Sequence, residues 1–399
     1  MKALGRIAIV GAGLGGLTAA LALLRRGFDA RVYEQAPALS EVGAGLQLSA
    51  NGTGVLFDLG LEAAVMAEAV VPKEKVIRLW DTGQAWKAFD AGSVSVDLYG
   101  FPYVTLHRHD LQRVLADAVR AARPDAIVLG ARLASLEQDG SGVDLVFDDG
   151  RTARAELVVG ADGVHSKVRE SLFGGDEPRF TGVVAWRGVI PAERLPEHLR
   201  SPLSVTWIGP GGHVVHYPLR RGELVNYVSV VERDDWRVES WSVQGTTREC
   251  LADYAGWHGD VRTLIEATGQ PHKWALFGRE PMPRWSHGRA TLLGDACHPM
   301  LPFLAQGAAM SIEDGLVLAR CLEAYGPDHG KAFAVYEGAR QARTSQAMTS
   351  SIANMHRYHD SRLGSATEAA AYVDREWSED RVKVRYEWLF GYDARAVPI

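Results

Sequence analysis

The hexapeptide Gly11-Ala12-Gly13-Leu14-Gly15-Gly16 constrains this chain more than any other feature of its sequence. Residues 6–10 before it, apolar after Arg6, read as a buried strand. Residues 15–26 after it read as a helix that Gly27 ends, and residues 30–33 read as a second strand. Together they make one strand-helix-strand unit with GxGxxG at its first turn. In that setting Gly11 permits the tight turn, Gly13 lets a pyrophosphate approach the backbone, and Gly16 lets helix and strand pack closely. Free amides at the helix N-terminus then face the anion. Glu34 ends the second strand 18 residues beyond Gly16, where a carboxylate accepts hydrogen bonds from an adenosine ribose. Gly11, Gly13, Leu14, Gly16 and Glu34 are therefore expected to bind a dinucleotide, which this motif alone leaves as either FAD or a nicotinamide.

Composition narrows the surroundings. A chain of 399 residues, 47% hydrophobic and 23% charged, can bury a large core and has length for two or three structural units. Its 43 Lys and Arg against 49 Asp and Glu leave a formal charge of −6, with no basic footprint for nucleic acid or an anionic membrane. Cys250, Cys297 and Cys321 are odd in number and lack CxxC spacing, so neither a disulfide framework nor a metal site is expected. The N-terminal apolar run enters a glycine turn rather than a cleavage site, and residues 17–24 stop at Arg25-Arg26, short of the roughly 18 apolar residues of a spanning helix. A cytoplasmic setting is the expectation.

Farther along, residues 126–129 and 143–147 read as strands around an Asp-Gly turn, and residues 155–159 as a short strand running into Gly160. Between about 181 and 273 the texture changes. Residues 183–190, 204–208, 213–218 and 224–231 read as strands punctuated by Gly and Pro, a mostly antiparallel sheet. Residues 290–293 read as another buried strand, residues 307–325 and 331–348 as helices, and the chain from about 354 as helical with an aromatic end.

Two later segments separate the cofactors: Gly160-Ala161-Asp162-Gly163 with the residues following it, and Gly288-Arg289-Ala290-Thr291-Leu292-Leu293-Gly294-Asp295-Ala296-Cys297-His298-Pro299. With the N-terminal glycines they resemble, in order and over nearly the whole chain, the three fingerprints of the group A flavoprotein monooxygenases, the family of 4-hydroxybenzoate and salicylate hydroxylases. The resemblance implies an α/β fold: an FAD-binding Rossmann-like domain of the glutathione-reductase type, an inserted, mostly antiparallel β-sheet substrate domain and a helical C-terminal region. The expected division is an FAD-binding domain over 1–180 with substrate-domain insertions around 70–105, a substrate domain over 181–275, a return to the FAD-binding domain over 276–350, and a C-terminal segment over 351–399.

The resemblance further implies that Asp295 holds the ribityl chain of FAD and that Asp162 lies near the pyrophosphate and the path of NADH or NADPH. Arg108 matches an arginine on the flavin side of the pyrophosphate, and Leu129 a backbone contact to adenine. The helix opening at Gly307-Ala308 would aim its N-terminal partial charge at the flavin edge that turns anionic on reduction. The implied reaction hydroxylates a small hydroxylated aromatic acid with NAD(P)H and O2 through a flavin C4a-hydroperoxide. A base near the substrate hydroxyl is then needed. On the strand over 213–218, alternation puts His213 and Tyr217 on one face and His216 on the other. His213 with Tyr217 is the expected catalytic pair, and the motif resembles that of 6-hydroxynicotinate and 3-hydroxybenzoate hydroxylases.

Gln47, after Gly43-Ala44-Gly45, joins Tyr103, Pro302 and Phe303 as expected substrate contacts. Gln47 stands where the hydroxynicotinate enzymes carry histidine, and Phe303 replaces a polar residue. Both departures favour a benzenoid acid of the salicylate or hydroxybenzoate kind over the alternative, a pyridine of the 6-hydroxynicotinate kind. Arg187, Arg220 and Arg221 are read as solvated. Halogenation is disfavoured because Trp236 and Trp241 lack the WxWxIP spacing. A non-enzymatic protein that keeps the fold without flavin is the rival from another class, and a homodimer stays open.

Overall fold

The computed structural model describes residues 5–39, 44–175, 177–236, 238 and 243–399; Gly43 and Trp241, invoked above, lie outside them. Ile7–Val10 forms the middle of a six-stranded sheet, parallel to Leu157–Gly160 on one side and Ala30–Tyr33 on the other. Ile127–Val128 extends one edge, and Ala290–Leu292 followed by Ser286–His287 the other. Every residue of Ile7–Val10 and Leu157–Gly160 is buried, as expected for parallel strands covered on both faces. Leu14–Arg25 and Gly307–Tyr325, both with long runs of buried residues, supply part of that cover.

A separate three-stranded antiparallel sheet joins Leu133–Gln138, Val143–Phe147 and Thr152–Ala155. This corrects the pairing expected around the Asp-Gly turn. Leu133–Gln138, with its alternating burial, is the partner of Val143–Phe147, while Ile127–Val128 pairs with Val32 and Tyr33 in the parallel sheet. The expected strand over 155–159 is likewise two strands, Thr152–Ala155 and Leu157–Gly160, in different sheets.

The seven-stranded sheet runs in the order His272–Gly278, Arg179–Pro191, Leu224–Glu232, Gly212–Leu219, Leu203–Gly209, Glu74–Leu79, Ala85–Asp90. All its pairings are antiparallel except Leu203–Gly209 with Glu74–Leu79. The register aligns side chains in rows. Lys75 lies opposite Ser204, Ile208 opposite His213, His213 opposite Val230, and Tyr217 opposite Asn226. Residues so paired share a face, and that face meets the strand Gly45–Leu48, which pairs with Val104–His107 in a separate two-stranded sheet, because Gly45 N donates to Asn226 Oδ1 at 2.7 Å. The opposite face buries Trp186, Trp207 and Tyr227 under the helices Thr247–Asp253 and Gly259–Thr268.

The helix expected over 331–348 runs from His329 to Tyr358 without a break. The boundary expected at 350 therefore falls inside it. Its last turns are tied to the loop after Asp295: Ser351 Oγ donates to Leu301 O at 2.6 Å and Asn354 Nδ2 to Phe303 O at 2.7 Å. Two further helices, Ala369–Glu376 and Glu379–Phe390, pack their aromatic residues against Ile77, Tyr103 and Met310.

Candidate active site

At the first turn Gly11 adopts φ +105°, and a Cβ there would lie 2.4 Å from Ala161 O. A Cβ on Gly16 would lie 2.1 Å from Gly11 O. Both glycines are thus required by close approach of backbone to backbone. Gly13 differs, since a Cβ there would meet nothing within 4 Å, so its bare Cα borders the open space above the helix N-terminus. Glu34 closes one side of that space, accepting from Ala12 N at 2.7 Å and Ala36 N at 2.9 Å. Leu129 follows the strand Ile127–Val128, in the loop where Gly130 N and Ala131 N donate to Ala36 O and Glu34 O.

Asp162 has its backbone against Gly11, 3.0 Å from where that Cβ would stand. Its carboxylate, however, accepts from Ser166 Oγ at 2.5 Å, Lys167 N at 2.7 Å and Val168 N at 3.0 Å, and so closes the turn that follows. Arg108 opens the helix Arg108–Ala122 with its side chain exposed. Arg187 is not solvated as expected: it is 9% exposed, with its guanidinium 5.1 Å above the Trp274 ring. Burial first and the Arg108 charge second push it down to about 10, so two cations face one region. Arg220 is paired with Asp110 at 2.8 Å.

Asp295 is the exposed residue of an otherwise buried run, 290–298. Its turn hangs on a buried ionic network in which Asp314 accepts from Gly294 N at 3.0 Å and lies 2.6 Å from His298 Nε2 and 2.7 Å from Arg340 Nε. Glu313 beside it meets Arg343 at 2.9 Å and accepts from Asn51 Nδ2 at 2.6 Å. These ties hold the start of the helix Gly307–Tyr325, whose first turn has no side-chain cap because Gln306 donates to Ser49 Oγ instead. Gly307 and Ala308 therefore present free amides.

The sheet face that carries His213 also carries Lys75, Ser204, Thr206, Tyr217 and Asn226, all buried. Gln47 Oε1 accepts from Tyr103 OH at 2.6 Å and from Ser204 Oγ at 2.9 Å, so one amide ties the strand Gly45–Leu48 to this face. The Tyr217 ring packs on Gly45, where an added Cβ would stand 2.7 Å from it. Burial raises the Tyr217 and Tyr103 hydroxyls, which stay protonated donors. His213 lies four residues away along the strand, about 13 Å, with its ring 5.3 Å from that of Phe303. Pro302 is exposed on the outside of the same short turn. His216 faces the other way, as alternation predicts, and burial lowers it to about 4.

Residues 6–351, most of the chain, match the family described as FAD binding domain. The chain belongs to this family and is a flavoprotein monooxygenase. A 3-amino-4-hydroxybenzoate 2-monooxygenase of Streptomyces platensis is 39% identical to it over 98% of this chain and 97% of that one. The 6-hydroxynicotinate 3-monooxygenase of Pseudomonas fluorescens is 38% identical over 99% and 96%. Among solved structures, Klebsiella pneumoniae HpxO in complex with FAD and uric acid superposes with a TM-score of 0.82 at 26% identity, over 94% of this chain and 96% of that one.

The residues of this monooxygenase fit FAD on three observations of its own: open space over Gly13, an exposed carboxylate at Asp295, and an uncapped helix start at Gly307. Sequence reasoning missed Lys75, Ser204, Thr206 and Asn226 on the sheet face that carries His213, and His359, which meets His213. Lys75 and Thr206 lay on strands with no motif, Asn226 read as one strand residue among others, and His359 sits 146 residues from the histidine it meets. Thr206 Oγ1 and Asn226 Nδ2 are buried polar atoms with no partner among the described residues, and such atoms are ordinarily satisfied by water or a ligand. Among the described residues no helix is long and apolar enough to cross a membrane.

Proposed function

We propose that this monooxygenase hydroxylates a small hydroxylated aromatic acid of the salicylate or hydroxybenzoate kind, bound against the sheet face between His213 and Tyr217. The observation that carries the reading is Lys75. It is buried without an ion pair among the described residues, on the same face as Ser204 and Tyr217, and burial lowers its pKa. A buried ammonium without a counter-ion is costly, and a substrate carboxylate supplies one. When bound, FAD supplies oxygen activation after reduction by NADH or NADPH, the usual reductants of such enzymes.

The chain's own residues do the rest. Lys75 holds the carboxylate, and Tyr217 and Asn226 orient the ring through fixed donors, with Tyr103 held in place by its hydrogen bond to Gln47. Phe303 and Tyr358 exclude water from the far end, where His213, neutral at pH 7 because burial lowers its pKa, takes the proton of the substrate hydroxyl. The deciding experiment follows NAD(P)H oxidation, oxygen uptake and peroxide release across hydroxybenzoates, aminohydroxybenzoates and hydroxynicotinates. Coupled turnover with a benzenoid acid is expected. Coupling only with the pyridines would replace this substrate class, and stoichiometric peroxide with every acid would reject it.

A further inference from the structure

His213 does not stand alone. Its Nδ1 is 2.7 Å from Nε2 of His359, and Nδ1 of His359 is 2.9 Å from a carboxylate oxygen of Glu232. His359 follows the last residue of the helix His329–Tyr358 and is held against the His213 hairpin a second time, by Gly211 N donating to its carbonyl at 3.1 Å. Its side chain is 1% exposed, whereas that of Glu232 is 50% exposed. The chain of hydrogen bonds thus begins at the candidate base, crosses a dry interior and ends in water.

We propose that His359 and Glu232 are positioning residues that make, with His213, a proton path from the substrate hydroxyl to solvent. This rests on the reading of His213 as the base. The groups around the path set its direction. Lys75 adds positive charge near His213, Phe303 and Tyr358 wall its ring, and His356 lies with His359 close to Glu232. An imidazolium left standing at His213 is therefore disfavoured, while Glu232 is held ionised by its hydrogen bond from His359.

The transfers balance without any co-reactant. The hydroxyl proton bonds to Nε2 of His213 as the O–H bond breaks, leaving the substrate as its phenolate. The Nδ1 proton of His213 passes to Nε2 of His359, and the Nδ1 proton of His359 passes to Glu232. Both imidazoles end neutral, in the opposite tautomers, and Glu232 releases the proton to water. No step places a net charge on the buried pair for longer than the transfer itself.

The test mixes the FAD-loaded protein with 3-amino-4-hydroxybenzoate in weakly buffered solution and follows proton release with a pH-indicator dye by stopped flow. FAD content and ligand Kd are measured alongside. His359→Gln is expected to slow release about tenfold or more, the scale of a lost proton-transfer partner, with FAD content kept and added imidazole restoring the rate. His359→Phe guards against a glutamine that bridges the gap through its amide. Glu232→Gln, at the exposed end, is expected to slow release and to remove its dependence on the Glu232 carboxylate at acid pH. Release at the parental rate in both His359 variants would overturn the path while leaving His213 as base. Release at the parental rate in His213→Ala would overturn the base reading itself.

Discussion

The backbone amide of Gly294 donates to the carboxylate of Asp314 at 3.0 Å, so the turn that carries Asp295 hangs from the helix beginning at Gly307. One buried carboxylate thereby sets the distance between the two elements to which we assign the flavin. It is itself held by His298 and Arg340, which are almost wholly buried.

Removing that carboxylate is expected to cost both stability and cofactor. Asp314→Ala strands Arg340 beside a single remaining acid, and breaking a buried pair in this way costs about 3–5 kcal/mol. Urea unfolding and the FAD retained after gel filtration check it. Burial by itself would raise the Asp314 carboxyl, but His298 and Arg340 outweigh it and hold it at about 2. A carboxyl lowered in the fold stabilises it above its unfolded value, near about 3.9, and loses that contribution as pH falls through the folded value. The stability gap between parent and variant should therefore be full at neutral pH and close progressively under acid conditions.

The glycines of the first turn separate fold from cofactor. Gly16→Ala places a methyl 2.1 Å from Gly11 O and is expected to lower the Tm of the protein with and without FAD. Gly13→Ala meets no protein atom within 4 Å, so the flavin-free Tm should be unchanged while FAD affinity falls about tenfold or more, the scale of one sub-contact methyl against a pyrophosphate. An equal loss of flavin-free Tm in both variants would contradict this division.

Lys75→Met is expected to raise KM for a hydroxybenzoate about 10- to 100-fold, the worth of one charged hydrogen bond, and to leave binding of the corresponding phenol without a carboxylate nearly unchanged. Folding should not suffer, because replacing an unpaired buried ammonium by an apolar chain removes a desolvation cost. Kd values for the acid and phenol pair, read by flavin fluorescence, test it.

The two strand histidines are both lowered by burial but differ in role. His216 is lowered to about 4, chiefly by burial and next by Arg78, against about 6.5 unfolded. Below 6.5 the unfolded chain takes up a proton that the folded chain does not, so stability falls as pH drops from 6.5 toward 4, by up to about 3 kcal/mol. His216→Leu should flatten that acid limb and keep substrate-dependent turnover. His213→Ala should keep flavin and lose turnover.

Local spacing made much of this molecule legible. GxGxxG, Glu34 and the alternation along the His213 strand are written within single elements, and their consequences follow from the helix and strand periods alone. The paired strand Leu133–Gln138 was missed because its outward residues alternate with few large apolar ones, and a strand identifies its partner only through the register of a second strand.

The sequence by itself determined the nucleotide-binding unit, the order of the three flavin segments and the face that His213 and Tyr217 share. Only the tertiary structure decided what meets them there. Lys75 reaches the site because its strand pairs in parallel with Leu203–Gly209, and His359 because a long helix ends against the hairpin turn at Gly211. Such contacts join residues more than a hundred positions apart, and burial, which sets their charge and their chemistry, exists only once the chain has folded around them.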